Sequence, residues 1–220
     1  FSNVCVISPS FGTLIFAQVF KQLFMRRIFL LILIGLMLSC SVFLAAQNRF
    51  KASAVAGLNL SQIDGDLLTG FDQPGLHAGM HVSAILSDRW ELGVELLYNQ
   101  QGSQRNLYSN SQSIYESIRL NVVEAPVQIL FNEWKFQLGA GLSYARIINA
   151  KVIDVSGADI TLQQGFRDDL INVVLGGTFN FSERWALNVR WSRSLNNLRA
   201  NKADGLFISR TLGIRGIYYF

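Results

Sequence analysis

Cysteine is nearly absent from this sequence. The 220 residues hold two, Cys5 and Cys40, both in the front part. None follows Cys40, so residues 48–220 have no disulfide framework, CxxC redox pair or cysteine zinc site. Charge is scarce as well: 15% of residues are charged, against about 25% in ordinary soluble domains. The net charge of +4 is modest and partly due to Lys21, Arg26 and Arg27. With no basic run interleaved with aromatics, nucleic acid is excluded as a partner. Pro74 and Pro126 are the only prolines after Phe50. That region also lacks an amphipathic helical pattern of useful length. Scattered glycines and abundant apolar residues remain, and half of the chain is hydrophobic.

Much of that apolar content lies at the front. Met25-Arg26-Arg27 is followed by an apolar run from Ile28 to Leu44 and by small residues at Ala45-Ala46. A charged start, an apolar middle and a small-residue end describe a secretory signal peptide over residues 25–47. The run is close to the roughly 20 residues that span a bilayer, so a retained anchor is the alternative. Lipidation at Cys40 is a third reading, disfavoured by Met37-Leu38 before it and Val42-Phe43-Leu44 after it. Residues 1–24 precede Met25, read as upstream sequence or a mis-set start, and are set aside.

Residues 48–220 alternate. In Trp185-Ala-Leu-Asn-Val-Arg-Trp-Ser192, large apolar and polar residues take opposite faces, the period-two signature of a strand. The same pattern recurs from Phe50, Gly75, Trp90, Ile118, Trp134, Asp169 and Phe207, giving eight strands. Three tight turns join them in strict alternation with four longer polar loops. The turns resemble one another: Leu86-Ser-Asp-Arg-Trp90, Phe131-Asn-Glu-Trp134 and Phe181-Ser-Glu-Arg-Trp185. This is a hairpin repeat of long period. Closing eight antiparallel strands into an up-and-down barrel removes exposed edges.

Residue size decides which face points outward. One face carries Trp90, Tyr98, Trp134, Tyr144, Trp185, Trp191, Tyr218 and Phe220; the other is rich in Gly, Ser, Asn and Ala. An interior of eight strands admits limited side-chain volume, so the bulky face points out. A lipocalin-like barrel would need the reverse. An apolar outer band with aromatics at its margins matches a transmembrane barrel. The expected fold is therefore all-β: an eight-stranded antiparallel up-and-down transmembrane β-barrel behind an N-terminal hydrophobic signal-peptide helix. With export, this implies the outer membrane of a Gram-negative cell, turns to the periplasm and loops outside. The aromatic end Tyr218-Tyr219-Phe220 is expected to be read by the barrel-assembly machinery.

Gly57-Leu-Asn-Leu-Ser61, Gly75-Leu-His-Ala-Gly79, Glu95-Leu-Leu-Tyr-Asn-Gln-Gln-Gly102 and Val123-Glu-Ala-Pro-Val127 together resemble the PorT-like outer-membrane β-barrel family. The resemblance covers about Phe50 to Phe220. It implies the fold and the compartment, and carries over no secretion role.

The inner face is expected to hold a charge network of Lys51, Glu91, Glu95, Glu124, Lys135, Arg190 and Arg215, because unpaired charges there are costly. That network reads as an ionic plug in preference to a gated pore. The expected membrane-interface aromatics are Trp90, Tyr98, Trp134, Tyr144, Trp185, Tyr218 and Phe220. Glu91 and Glu95 are a weak acid–base pair without a nucleophile. His77 and His81 share the inner face, yet two histidines do not make a metal site. Asp64, Asp66 and Asp72 fit no calcium loop. Pro126 is expected to mark a bulge or bend. No catalytic residue, metal or cofactor is expected, and no enzyme activity. The expected partners are outer-membrane lipid, the assembly machinery, and envelope or secretion-complex proteins. The leading role is structural or interactive. A narrow channel or secretion accessory is second, and a membrane-embedded lipid enzyme third.

Overall fold

A computed structural model describes residues 49–106, 112–200 and 205–220; the expected signal segment lies outside these residues. The strands are β1 (Phe50–Asp64), β2 (Gln73–Ile85), β3 (Trp90–Gln104), β4 (Tyr115–Glu133), β5 (Phe136–Asp154), β6 (Asp169–Asn180), β7 (Trp185–Ser194) and β8 (Ile208–Tyr219). Each pairs antiparallel with its sequence neighbours, and β1 also pairs with β8, from Ser53↔Tyr219 to Asp64↔Ile208, closing the barrel. At this seam the backbones approach so closely that a Cβ on Gly57 would stand 2.2 Å from the Ile214 carbonyl oxygen. Glycine is required there.

Alternation sets the walls. Leu92, Val94, Leu96, Ile129, Leu138, Leu142, Leu187 and Val189 are exposed on the outside. Ser53, Asn59, Ser83, Glu91, Glu95, Asn99, Gln128, Asn188, Arg190 and Arg215 are buried inside. The aromatics Trp90, Tyr98, Trp134, Tyr144, Trp185 and Phe220 are all exposed, and Tyr218 is half-buried against Trp185, with ring centroids 4.9 Å apart.

Three expectations need correction. The β4–β5 turn is Trp134-Lys135, since Glu133 pairs with Phe136 and Asn132 with Gln137. Trp134 takes φ 53° in that turn. Lys135 therefore leaves the strand pleat, and its Nζ stands 5.5 Å from the Trp134 ring centroid outside the lumen. It is no part of the interior network.

Of the bulge or bend expected at Pro126, the bulge is not there. The β3–β4 register runs unshifted from Val94↔Val127 to Leu97↔Glu124, and pairing is interrupted between them. A proline there removes one ladder donor without adding a residue.

The register shifts lie elsewhere, between Tyr115 and Ser117 and between Asn121 and Val122 along the β4–β5 pairing. β4 begins at Tyr115, three residues before the expected Ile118, and β5 runs on to Asp154. Their 19 residues each far exceed the roughly 9–11 that cross a bilayer. In this extended end the lumen is not polar: Ile63, Ile118, Leu120, Val122, Val152, Leu170 and Phe207 pack into an apolar cluster with Leu68 and Leu198 from the loops.

Candidate functional site

The lumen is layered along its axis, and each layer follows from which residues fall on the inward parity. At the turn end, Glu91 of β3 is buried. It accepts hydrogen bonds from Lys51 Nζ at 2.6 Å, Ser83 Oγ at 2.7 Å and Asn132 Nδ2 at 2.9 Å. Lys51 remains half exposed. Around this group lies an open vestibule of about 580 Å³, lined by residues that include His81, Gln137, Asn180 and Tyr219. It narrows to a cavity of about 20 Å³ against Glu95 and Arg215.

The middle layer is a closed lattice of charge-assisted hydrogen bonds. Glu95 Oε2 accepts from Arg190 Nη1 and Arg215 Nη1, each at 2.8 Å, and its Oε1 accepts from Arg215 Nη2 at 2.8 Å. The Arg215–Glu95 pair is thus bidentate, the strongest geometry open to these groups. The other fork of Arg190 donates from Nη2 to Glu124 Oε1 at 2.8 Å. Two guanidinium and two carboxylate groups balance, so no net charge is left in the low-dielectric interior.

Polar neighbours fill the remaining lone pairs and donors. His81 Nδ1 is 3.1 Å from Glu95 Oε1. Asn99 donates to Glu124 and accepts from Asn59. Arg215 Nε donates to Asn188 Oδ1, and Asn188 donates to Thr178. The lattice ties β1, β2, β3, β4, β6, β7 and β8 together across the lumen.

Above it, Gln101 accepts from Ser209 and Thr211. The apolar cluster follows, and the loops close over it. Tyr115 packs edge-on against Phe207, with ring centroids 6.0 Å apart. Arg199 lies 3.9 Å over the Phe207 ring and donates to Tyr115 Oη and Gln164 Oε1. Asp66 is buried beside this lid, its Oδ1 accepting from the Leu68 amide. Burial pushes its carboxyl above the usual range.

Of the expected network, Glu95, Glu124, Arg190 and Arg215 meet at the centre, Lys51 and Glu91 form a separate pair at the turn end, and Lys135 joins neither. The connectors His81, Asn59, Asn99, Thr178 and Asn188 were absent from the expected network, although their inward parity is visible in the sequence. His77 and His81 both point inward. Among the described residues, no group of three His, Cys, Asp or Glu is placed to hold a metal ion. Asp64 pairs with Arg210 at 2.6 Å. The lattice is built to fill and brace the lumen: its charged groups point at one another rather than at open space.

A family model described as "Outer membrane protein beta-barrel domain" matches residues 31–199. Among solved structures, the chain is similar to Ail, the attachment invasion locus protein of Yersinia pestis, at 12% identity and TM-score 0.48 over 78% of this chain and 99% of that one. It is similar to Neisserial surface protein A at 16% identity and TM-score 0.45, over 78% and 97%. It is also similar to OprG from Pseudomonas aeruginosa, at 13% and 0.43, over 78% and 96%. No curated protein matches the chain.

Proposed function

The chain belongs to the outer membrane β-barrel family, and from that premise we propose that it is a non-conducting barrel acting through its outer loops. The observation that carries this reading is the doubly closed lumen. The Glu95–Arg190–Arg215–Glu124 lattice obstructs the middle, and the apolar cluster under Tyr115, Arg199 and Phe207 obstructs the loop end. An ion entering from the turn-end vestibule would have to break a bidentate buried pair and then cross an apolar layer.

The loops supply the interaction surface. Leu67, Leu162 and Leu206, from three of them, are strongly exposed. Exposed aliphatic groups on loops suit contact with another envelope protein. The tight turns face the periplasm in this reading, and Trp90, Trp134, Trp185, Tyr218 and Phe220 form the band at that membrane interface, with Tyr98 and Tyr144 near the other. Export by a cleaved signal peptide over residues 25–47 into a Gram-negative envelope, folding by the barrel-assembly machinery, and membership of the PorT-like subfamily belong to the same proposal. So does the absence of catalysis.

A narrow channel is the second reading, favoured by the water-accessible vestibule around Glu91. Liposome swelling with small sugars separates the two. The plugged reading expects swelling no faster than protein-free vesicles, and a rate that rises with protein content would replace it with the channel. Cross-linking from intact outer membranes tests the loop role, which requires adducts at Leu162 or Leu206 with another envelope protein.

A further inference from the structure

Toward the loop end, the outer wall changes character just beyond Tyr98. Between β3 and β4 its outward rows run from Tyr98↔Val123 to Gln100↔Asn121 to Gly102↔Arg119. Below them Leu96 and Val127 are exposed aliphatic residues. At the polar rows a notch of about 280 Å³ opens, its lining including Pro74, Gln100, Arg119 and Asn121 and no carboxylate. Position 102 needs glycine, because a Cβ there would stand 1.8 Å from the Ile118 carbonyl oxygen. Arg119 therefore has no side chain beside it on β3.

The amides of the notch are fixed. Gln100 Oε1 accepts from the Leu76 amide at 3.2 Å, and its Nε2 donates to Tyr98 Oη and to Asn121 Oδ1. With Oδ1 engaged, Asn121 Nδ2 has no partner among the described residues, and neither has the Arg119 guanidinium. On β5 the register partner of Arg119 is another cation, Lys151, and both are exposed. Like charges directly opposite one another on a sheet are destabilising. The carboxylates nearby do not relieve both. Glu116 is taken by Arg105 at 3.1 Å, and Asp72, beyond β3 at the head of β2, accepts from Asn106. Asp159 lies in electrostatic reach of Lys151 and offsets one charge of the two.

A free guanidinium, a free amide donor and a facing ammonium group form an anion site, and the planar guanidinium fork matches a phosphate. The level of the notch names the anion. Interfacial tyrosines lie at the headgroups, and Gly102, level with Arg119, is four residues beyond Tyr98, about 14 Å along the strand and less in depth because barrel strands tilt. An anion held there above an aliphatic wall is the phosphate of a lipid.

We propose that this notch binds the phosphate of one lipid of the loop-side leaflet through Arg119 and Asn121, with Lys151 completing the site from β5 and the acyl chains lying against Leu96 and Val127. This rests on the outer-membrane setting and turn-inward orientation given above. It does not rest on the closed lumen, so a conducting barrel would leave it standing.

The test is native mass spectrometry of the barrel purified in octyl glucoside and titrated with dioctanoyl phosphatidic acid. The wild type is expected to retain one lipid, and dioctanoylglycerol, with the same chains and no phosphate, should bind at least about ten-fold more weakly. Arg119→Gln should cut retention of the phosphatidic acid by a similar factor, and Lys151→Gln several-fold. Arg193→Gln removes another exposed wall cation, on β7, and should change nothing. Heat-dependent gel mobility of every variant shows separately whether the barrel has formed, so failure to fold cannot pass for loss of lipid. Retention unchanged by Arg119→Gln, an equal loss in Arg193→Gln, or equal retention of dioctanoylglycerol would each overturn the proposal. So would displacement of the lipid by an equal concentration of inorganic phosphate, which would assign the notch to a free anion.

Discussion

Removing Arg190 is the most informative single perturbation of the lumen. Its guanidinium bridges two carboxylates, Glu95 and Glu124, each at 2.8 Å. In Arg190→Met, Glu95 keeps both nitrogens of Arg215 and the contact with His81. Glu124 fares worse. It is 1% exposed and would retain the Asn99 amide with no cation bonded to it. Two unit charges about 4 Å apart attract by about 4 kcal/mol at an effective dielectric of about 20. Breaking a buried pair from one side costs about 3–5 kcal/mol, so Arg190→Met should lose that amount. Glu124→Gln alone removes the other partner and should cost less, because Arg190 still holds Glu95. In the double variant the orphaned carboxylate is gone, and the loss should fall short of the sum by about 2–3 kcal/mol. The assay is urea unfolding from lipid vesicles followed by tryptophan fluorescence, since all four tryptophans lie outside the lattice. Losses that add within about 0.5 kcal/mol would refute the argument, because they would mean that Arg190 and Glu124 do not feel each other's charge.

Other outcomes follow from the same layers. Leu120→Ala opens a cavity in the apolar cluster, where Leu120 is fully buried, and should cost about 2–5 kcal/mol in the same unfolding assay. Lys135→Ala should change stability by no more than about 0.5 kcal/mol, and Lys51→Met should cost less than Arg190→Met, because Lys51 is half exposed and Glu91 keeps Ser83 and Asn132. Asp66 gives a pH dependence. Its folded carboxyl is raised by burial, so its contribution to stability is fully present below the unfolded value of about 3.9 and is lost as pH rises through the higher folded one. Asp66→Asn should therefore be more resistant than wild type to loop proteolysis at pH 7, and the difference should vanish below about pH 4.

The walls of the barrel were legible because period-two alternation is a local signal, and runs such as Trp90 to Tyr98 keep it without a break. The central lattice was partly legible for the same reason: parity placed Glu95, Glu124, Arg190 and Arg215 inside, and only charge balance was needed to bring them together. The loop ends were hidden by bulges. In β5 the inward residues are odd-numbered up to Ala145, but Val152 beyond the register shift is even-numbered. One extra residue flips the pleat, so continuous alternation stops being visible near Asn149 although the strand goes on. The apolar cluster sits beyond that break. Lys135 misled for a related reason. Its parity was inward, but a two-residue hairpin consumed it together with Trp134, and no local feature distinguished Trp134-Lys135 from Asn132-Glu133 as the turn. The polar connectors were missed because charge drew the reading, and Asn59, Asn99 and Asn188 carry none.

Two independent layers close this lumen. Planar-bilayer recording of the purified barrel in 1 M KCl, at potentials of both signs, tests it most directly. The wild type is expected to give no unitary conductance steps. Stable, ion-selective openings from the wild-type barrel would contradict it, and would make the Glu95–Arg190–Arg215–Glu124 lattice a gate instead of a plug.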